Sequence, residues 1–170
     1  MTVAVEVHIQ GLSQLGAGLD RMAALGERPR PIWDAVGQYG ESSTRLRFKR
    51  QTDPEGARWK PSIRARESGG TTLQLKGAYG GLLGSITHNS TNSGTAWGTN
   101  KKYAGIHQFG GTIKAKGKNL RFQIGGRFVS VKAVTIHKRS FVGVNADDAR
   151  EILAVANDAI DLAARNRGGA

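Results

Sequence analysis

The chain reads as an α+β domain, a mostly antiparallel β-sheet with two N-terminal helices and one C-terminal helix packed on one side. Three observations lead there. Apolar residues alternate at the start and then recur at helical spacing; residues 97–136 return to a strand-like pattern around a Gly-Gly pair; the last stretch is a helical stripe with a cap in front of it. At 170 residues the chain suits a single domain, 1–170, with a core that needs neither disulfides nor metals as staples.

Val3, Val5, Val7 and Ile9 alternate with Ala4, Glu6 and His8, the period of a strand with one buried face. Leu12, Leu15, Leu19, Met22 and Leu25 then mark a first helix, broken by Arg28-Pro29-Arg30-Pro31. Pro31 falls in the first turn of a second helix, whose inner stripe is Ile32, Val36, Tyr39, Ser43 and Leu46. Arg45, Arg47, Lys49 and Arg50 complement the negative end of its macrodipole.

Asp53-Pro54-Glu55-Gly56 carries the residue preferences of a type I turn and stops that helix. Residues 57–72 have no clean period and are rich in Arg, Ser and Gly, which gives either an ordered loop anchored by Trp59 or a flexible one. A flexible loop over about 57–72 is expected. Residues 73–86 are ambiguous between helix and strand because Gly77, Gly80, Gly81 and Gly84 spoil both.

Residues 97–113 and 120–136 read as strands, with a long basic hairpin or loop within about 110–132. A two-residue turn at Gly125-Gly126 sets Ile124 opposite Arg127, Phe122 opposite Val129 and Leu120 opposite Val131, with Arg121 and Ser130 on the other face. The closing helix has Asn145 as its cap, Asp147 and Asp148 in its first turn, and Ile152, Val155, Ala156, Ala159, Ile160 and Ala163 along one side. Arg165, Arg167 and Gly168-Gly169 end it, leaving a short flexible tail, 166–170.

Charge then narrows the function. Between Ser68 and Ala146 there is no Asp or Glu, while the formal net charge of the chain is +12. Carboxylates supply most general acids, general bases and hard-metal ligands, so this composition favours binding over turnover. With no cysteine, thiol catalysis and Cys-based metal sites are excluded. No run is long enough for a membrane span, and Glu6 and His8 stand where a signal peptide needs a positive start and an apolar block, so a soluble protein made in a cytoplasm is expected.

His8, His88, His107 and His137 show no i, i+4 pairing and no carboxylate close in sequence, which favours ordinary histidines over a metal or catalytic site. The glycine run 77–85 lacks the Gly-Lys-Ser/Thr of a phosphate loop. Lys114, Lys116, Lys118 and Arg121 form a basic arm that could grip phosphates, yet the register turns Phe122 towards the core, away from base stacking.

The run Trp97-Gly98-Thr99-Asn100-Lys101-Lys102-Tyr103-Ala104-Gly105-Ile106-His107-Gln108-Phe109-Gly110-Gly111 resembles a signature of the phage virion morphogenesis or tail completion family. It follows Phe48, Gln51, Asp53-Pro54-Glu55-Gly56, Trp59-Lys60-Pro61, Leu73, Gly77, Leu82 and Ser85-Ile86 in the order of that family, and precedes Arg139-Ser140-Phe141-Val142-Gly143. Ser140 replaces the proline of the family's usual run there. The likeness covers about residues 48–152.

The resemblance implies a structural virion protein, at the neck or tail end, that completes the tail or joins it to the head as a ring, with a hexamer favoured. It implies no enzymatic activity, cofactor, small-molecule substrate or membrane. Its partners would be further copies of itself, head-completion or connector proteins and tail-tube proteins, with genome DNA passing nearby without sequence-specific contact, and assembly in the host bacterial cytoplasm.

Candidate interface residues are Trp59, Tyr103, Ile106, His107, Phe109, Arg139 and Phe141. Tyr103, Ile106, His107 and Phe109 are expected on a strand covered on both faces, one by the core and one by a neighbour; packing within one subunit accounts for any one of them equally well. Lys114–Lys118 are expected to meet an acidic surface on an adjoining head or tail protein. Two other classes stay open: a basic nucleic-acid-binding module for DNA packaging or retention, and a small hydrolase with His107 or His137 beside Asp53 or Glu67.

Overall fold

A computed structural model describes residues 16, 28–74, 81–124 and 126–165. The opening strand, the helix around Leu12–Leu25 apart from Gly16, residues 77–80 of the glycine run, Gly125 and the tail 166–170 lie outside the described residues. The element order is α1 (Arg30–Arg50), α2 (Ile63–Ser68), a 3-10 turn (Leu83–Ser85), β1 (Thr87–Ser90), β2 (Thr95–Gly98), α3 (Ala104–Phe109), β3 (Gly111–Lys114), β4 (Leu120–Ile124), β5 (Arg127–Val131), β6 (Ala133–Ile136) and α4 (Ala146–Arg165). This is an α+β fold. Its strands form antiparallel pairs, β1 with β2, β3 with β6 and β4 with β5.

The described residues sort into two compact units, one drawn from Leu46–Ser85 and Thr99–Val142, the other from the stretch ending at Arg45, Ile86–Gly98 and the stretch beginning at Gly143. In the second, Ile32 and Val36 of α1 pack with Ile152 and Ala156 of α4, and Trp33, Tyr39, Trp97 and Leu153 surround them. The helical stripes expected at both helices therefore meet. Asn145 Oδ1 accepts from the Asp148 amide at 2.7 Å and Asp148 Oδ2 accepts from the Asn145 amide at 3.0 Å, a reciprocal cap that satisfies two N–H groups at the start of α4.

Asp148 is buried, and its Oδ1 also accepts from Tyr39 at 3.0 Å and Ser43 at 2.6 Å. Burial, with the Asp148 charge adding to it, pushes the Tyr39 phenol up to about 12. The phenol keeps its proton in the folded chain at pH values where the unfolded chain loses it. Stability contributed by Tyr39 is thus complete below about pH 10 and is lost as pH rises towards 12. Absorbance titration should show a late tyrosine ionisation, and that step should vanish in Tyr39→Phe.

The β1–β2 hairpin lies against α1 where that helix carries Gly37 and Gly40. A Cβ at Gly37 would stand 2.4 Å from Thr95 Oγ1, and one at Gly40 would stand 2.3 Å from Trp97 Cδ2. Gly40→Ala would gain up to about 1 kcal/mol of helix propensity. Overpacking costs about 1–3 kcal/mol, so the clash should win and the urea midpoint should fall. His88 adds a polar tie: its Nδ1 is 2.7 Å from Glu41 Oε2 and its Nε2 is 3.4 Å from Asp34 Oδ1, carboxylates distant in sequence.

In the first unit Phe48, Trp59 and Phe141 form an aromatic cluster, Phe48 lying 5.3 Å from Trp59 and 5.2 Å from Phe141 between ring centres. The expected inner stripe of α1 fails in its last turns. Leu46 is exposed, whereas Thr44, Arg47 and Phe48 are buried. Arg47 Nη1 donates to the Phe141 carbonyl at 3.2 Å, so the cation is held inside by a backbone acceptor.

Asp53–Gly56 is the expected turn, closed by a bond from the Gly56 amide to the Asp53 carbonyl at 3.1 Å. Just before it Gln51 adopts φ 57°, and its amide bonds both Phe48 O and the backbone of Thr72. Trp59 anchors the following segment, where Ser62 caps α2.

Candidate functional site: a basic arm and a cation-lined cleft

Residues 111–136 form one long antiparallel arm. Gly111 pairs with Ile136 and Lys114 with Ala133; beyond them Leu120 pairs with Val131 and Ile124 with Arg127. The upper register is the one the Gly125-Gly126 turn dictates. Since the Ala115 amide bonds Lys132 O at 2.8 Å, the extra residues Lys116-Gly117-Lys118-Asn119 bulge from one strand only, tied back by Asn119 Nδ2 on Ser130 Oγ at 2.9 Å.

Side chains alternate across the upper arm. Leu120, Phe122, Ile124, Val129 and Val131 share a face that is only half-buried, so Phe122 reaches no deep core as expected of it. Phe128, opposite Gln123, is 87% exposed. Lys114, Lys116, Lys118 and Arg121 are all exposed, as are Arg127 and Lys132, and no carboxylate interrupts them within 111–136. Sequence reading singled out the first four and missed Phe128, whose exposure could have been inferred from its place across from Gln123.

The expected strand over 97–113 is corrected. β2 ends at Gly98, residues 104–109 are helical, and β3 begins only at Gly111. Gly110 closes α3 with φ 75°, and a Cβ there would lie 2.8 Å from the Lys138 amide nitrogen, so both conformation and space call for glycine. Gln108 sets the helix in place: its Oε1 accepts from the amides of Phe141 and Val142 at 2.9 and 3.1 Å, and its Nε2 donates to Val142 O at 2.7 Å. A buried amide with these partners favours helix where the aromatic composition suggested strand.

Tyr103, Ile106, His107 and Phe109 are therefore at a helix start and along one helix. Tyr103 is 44% and Phe109 58% exposed; Ile106 and His107 are half-buried. Tyr103 lies edge-on to the His107 ring, 6.2 Å away. Trp59, Phe141 and Arg139 are buried, the first two in the aromatic cluster. Of the residues singled out for contact, Tyr103, Phe109 and the basic arm present themselves to solvent.

Below the arm, Asp53, Arg58, Trp59, Lys60, His137, Lys138, Arg139 and Ser140 line a cleft of about 380 Å³. Arg139 is its floor, donating from Nε to Lys60 O at 2.8 Å and from Nη1 to His137 O at 3.3 Å. Burial lowers its pKa. Burial, and then the charge of Arg139, also lowers the pKa of His107, which favours the neutral imidazole.

This arrangement opposes hydrolase chemistry. His107 meets a cation instead of an acid, and its Nδ1 is buried without a hydrogen-bond partner. Asp53 shares the cleft with His137, but its Oδ1 accepts from the Ala57 amide at 2.8 Å, and no bond or ion pair joins the two among the described residues. Ser140 Oγ donates to the Gln108 carbonyl, away from any base. Among the described residues no cluster of three or more His, Asp or Glu could hold a metal ion, and no helix is long and apolar enough to cross a membrane.

Comparison with known proteins agrees with the resemblance in the sequence. The model of the phage virion morphogenesis family matches residues 11–161. The Mu-like prophage FluMu G protein 2 of Haemophilus influenzae is 30% identical over 107 residues, which span 63% of this chain and 71% of that protein. No solved structure matches. The matched region takes in α1, the aromatic cluster, α3, the whole arm and most of α4, and the chain belongs to the phage virion morphogenesis family, a structural and not a catalytic family of virion assembly.

Proposed function

We propose that the chain completes the phage tail and joins it to the head, as a ring of identical copies at the neck or tail end, and turns over no substrate. The observation that carries this is the pair of exposed aromatics on α3, Tyr103 and Phe109, inside a family match that covers most of the chain. Large aromatics left in water at the two ends of a short helix are the residues that anchor protein interfaces. Repeated head-to-tail contacts between identical subunits close into a ring when their rotation closes. Head-completion and tail-tube proteins then meet the two ends of the ring, and genome DNA passes through without base-specific contact.

The mass of the purified protein in solution tests the ring. A hexamer, even as a minor species that grows with concentration, is the expected result. A second reading, a nucleic-acid-binding module, draws on the six cations of the arm. It requires retention of duplex DNA that falls steeply with salt, by a slope of about 0.9 per phosphate contacted. The ring reading requires that such retention be weak, because several basic arms facing a lumen would brake the genome.

A further inference from the structure

Arg139 is a buried charge that meets no opposite charge. It is 4% exposed, and its guanidinium is held by neutral groups alone, Nε on Lys60 O at 2.8 Å and Nη1 on His137 O at 3.3 Å. Its Nη2 makes no hydrogen bond, and no carboxylate pairs with it, among the described residues. His107, which feels its charge, is itself a base. A cation taken out of water is costly unless an anion joins it, and carbonyls orient the group without neutralising it.

The missing anion has a way in. Arg139 is the floor of the cleft of about 380 Å³, and Arg58, Lys60 and Lys138 on the same lining are exposed. Asp53 is the one carboxylate of that lining. It forms no ion pair among the described residues, and its Oδ1 accepts from the Ala57 amide at 2.8 Å. Four Lys and Arg side chains therefore face one acid, in a concave site that concentrates their field. The free edge of a guanidinium is shaped for an oxyanion, a planar carboxylate above all.

We propose that the cleft takes an Asp or Glu side chain from an acidic segment of a different virion protein, its carboxylate on Arg139 and neighbouring acids on Arg58, Lys60 and Lys138. Depth favours this occupant. The volume is near the low end of ligand sites, which run from about 300 to 1,000 Å³, so it admits the tip of a peptide segment and no duplex. Phosphates along a DNA rod would meet the exposed cations at the mouth and leave the buried one unpaired. Another copy is a poor source, because a chain with 25 Lys and Arg against 13 Asp and Glu repels itself. From the joining role the inference takes only that the chain meets other virion proteins; it needs neither the ring nor the exposed aromatics of α3.

Calorimetric titration of the full chain with a hexaglutamate peptide tests it. The arm also attracts acids, so the same titration on Lys114→Gln, Lys116→Gln, Lys118→Gln isolates the cleft, where binding should persist. Arg139→Gln should weaken that binding roughly 30-fold or more. Arg58→Ala with Lys138→Ala, both at exposed positions, should weaken it roughly 3- to 10-fold and leave the fold intact. In nuclear magnetic resonance spectra the Arg139 Nε–H signal should shift as the peptide saturates the protein, and should stay in place when duplex DNA is added.

Equal affinity in the arm variant with and without Arg139→Gln rejects the site, as does an Nε–H signal that the peptide leaves unmoved. A signal moved by duplex DNA gives the cleft to the genome and overturns the proposal. So does peptide that disperses assemblies of the chain, which would make the occupant another copy. If Arg139→Gln does not fold, the double variant and the wild-type signal still decide. No head or tail enters the titration, so the cleft can fail while the joining role stands, and the reverse.

Discussion

Replacing Phe48 with alanine is expected to lower the unfolding free energy by about 3–5 kcal/mol. Phe48 is fully buried and is the hub of the aromatic cluster, touching both Trp59 and Phe141. Its two ring neighbours are held in place: Trp59 is pinned by a bond from its Nε1 to Ser140 O at 3.0 Å, and Phe141 by its amide on Gln108. Domains have only about 5–15 kcal/mol in all, so this one change should remove a large share of the margin. Urea unfolding followed by tryptophan fluorescence measures it. A loss below about 1 kcal/mol would mean that the cluster is loosely packed and that Trp59 and Phe141 are available for contact with other chains after all.

The second large effect concerns α3. Tyr103→Asp combined with Phe109→Asp should abolish assembly and leave a folded monomer. Both rings are substantially exposed, so little packing is lost. Tyr103 occupies the N-cap of α3 without a capping bond, and aspartate is among the best residues there, so the helix should not suffer. Anchoring aromatics at an interface contribute about 2 kcal/mol or more each, roughly 30-fold apiece in affinity. Light scattering during gel filtration reads the mass, and circular dichroism reads the fold. Loss of folding would return these residues to packing within one subunit, and unchanged assembly would place the joint elsewhere.

What could be read from sequence was local. The register of β4 and β5 follows from a two-residue Gly turn and strict alternation, and the start of α4 from Asn145 as its cap with Asp147 and Asp148 in its first turn. The failures share a cause, in that a distant partner overrides local composition. Ala104–Phe109 is helical because Gln108 is satisfied by the backbone at Phe141 and Val142, thirty-three and more residues away. Arg47 is buried and Leu46 exposed because Phe141 O accepts from the guanidinium, a bond across 94 residues that no reading by polarity would find.

The candidate site divides in the same way. Its charge was legible, since an uninterrupted run of cations on a hairpin has nowhere to go but the surface. Which aromatics are exposed was not, because Trp59 and Phe141 differ from Tyr103 and Phe109 only in tertiary neighbours. Phe128 went unremarked for the opposite reason: its exposure is a matter of register alone, and a large apolar residue on the polar face of a strand is easily taken for core. His88 was set aside for want of a nearby acid, and the fold brings it Glu41 and Asp34.

The role in joining heads to tails is tested most directly by mixing. A lysate from a phage genome lacking this chain should hold filled heads and separate tails under the electron microscope, and adding the purified protein should restore joined, infectious particles. Infectious particles at normal titre without the chain, or added protein that leaves heads and tails apart, would contradict the account.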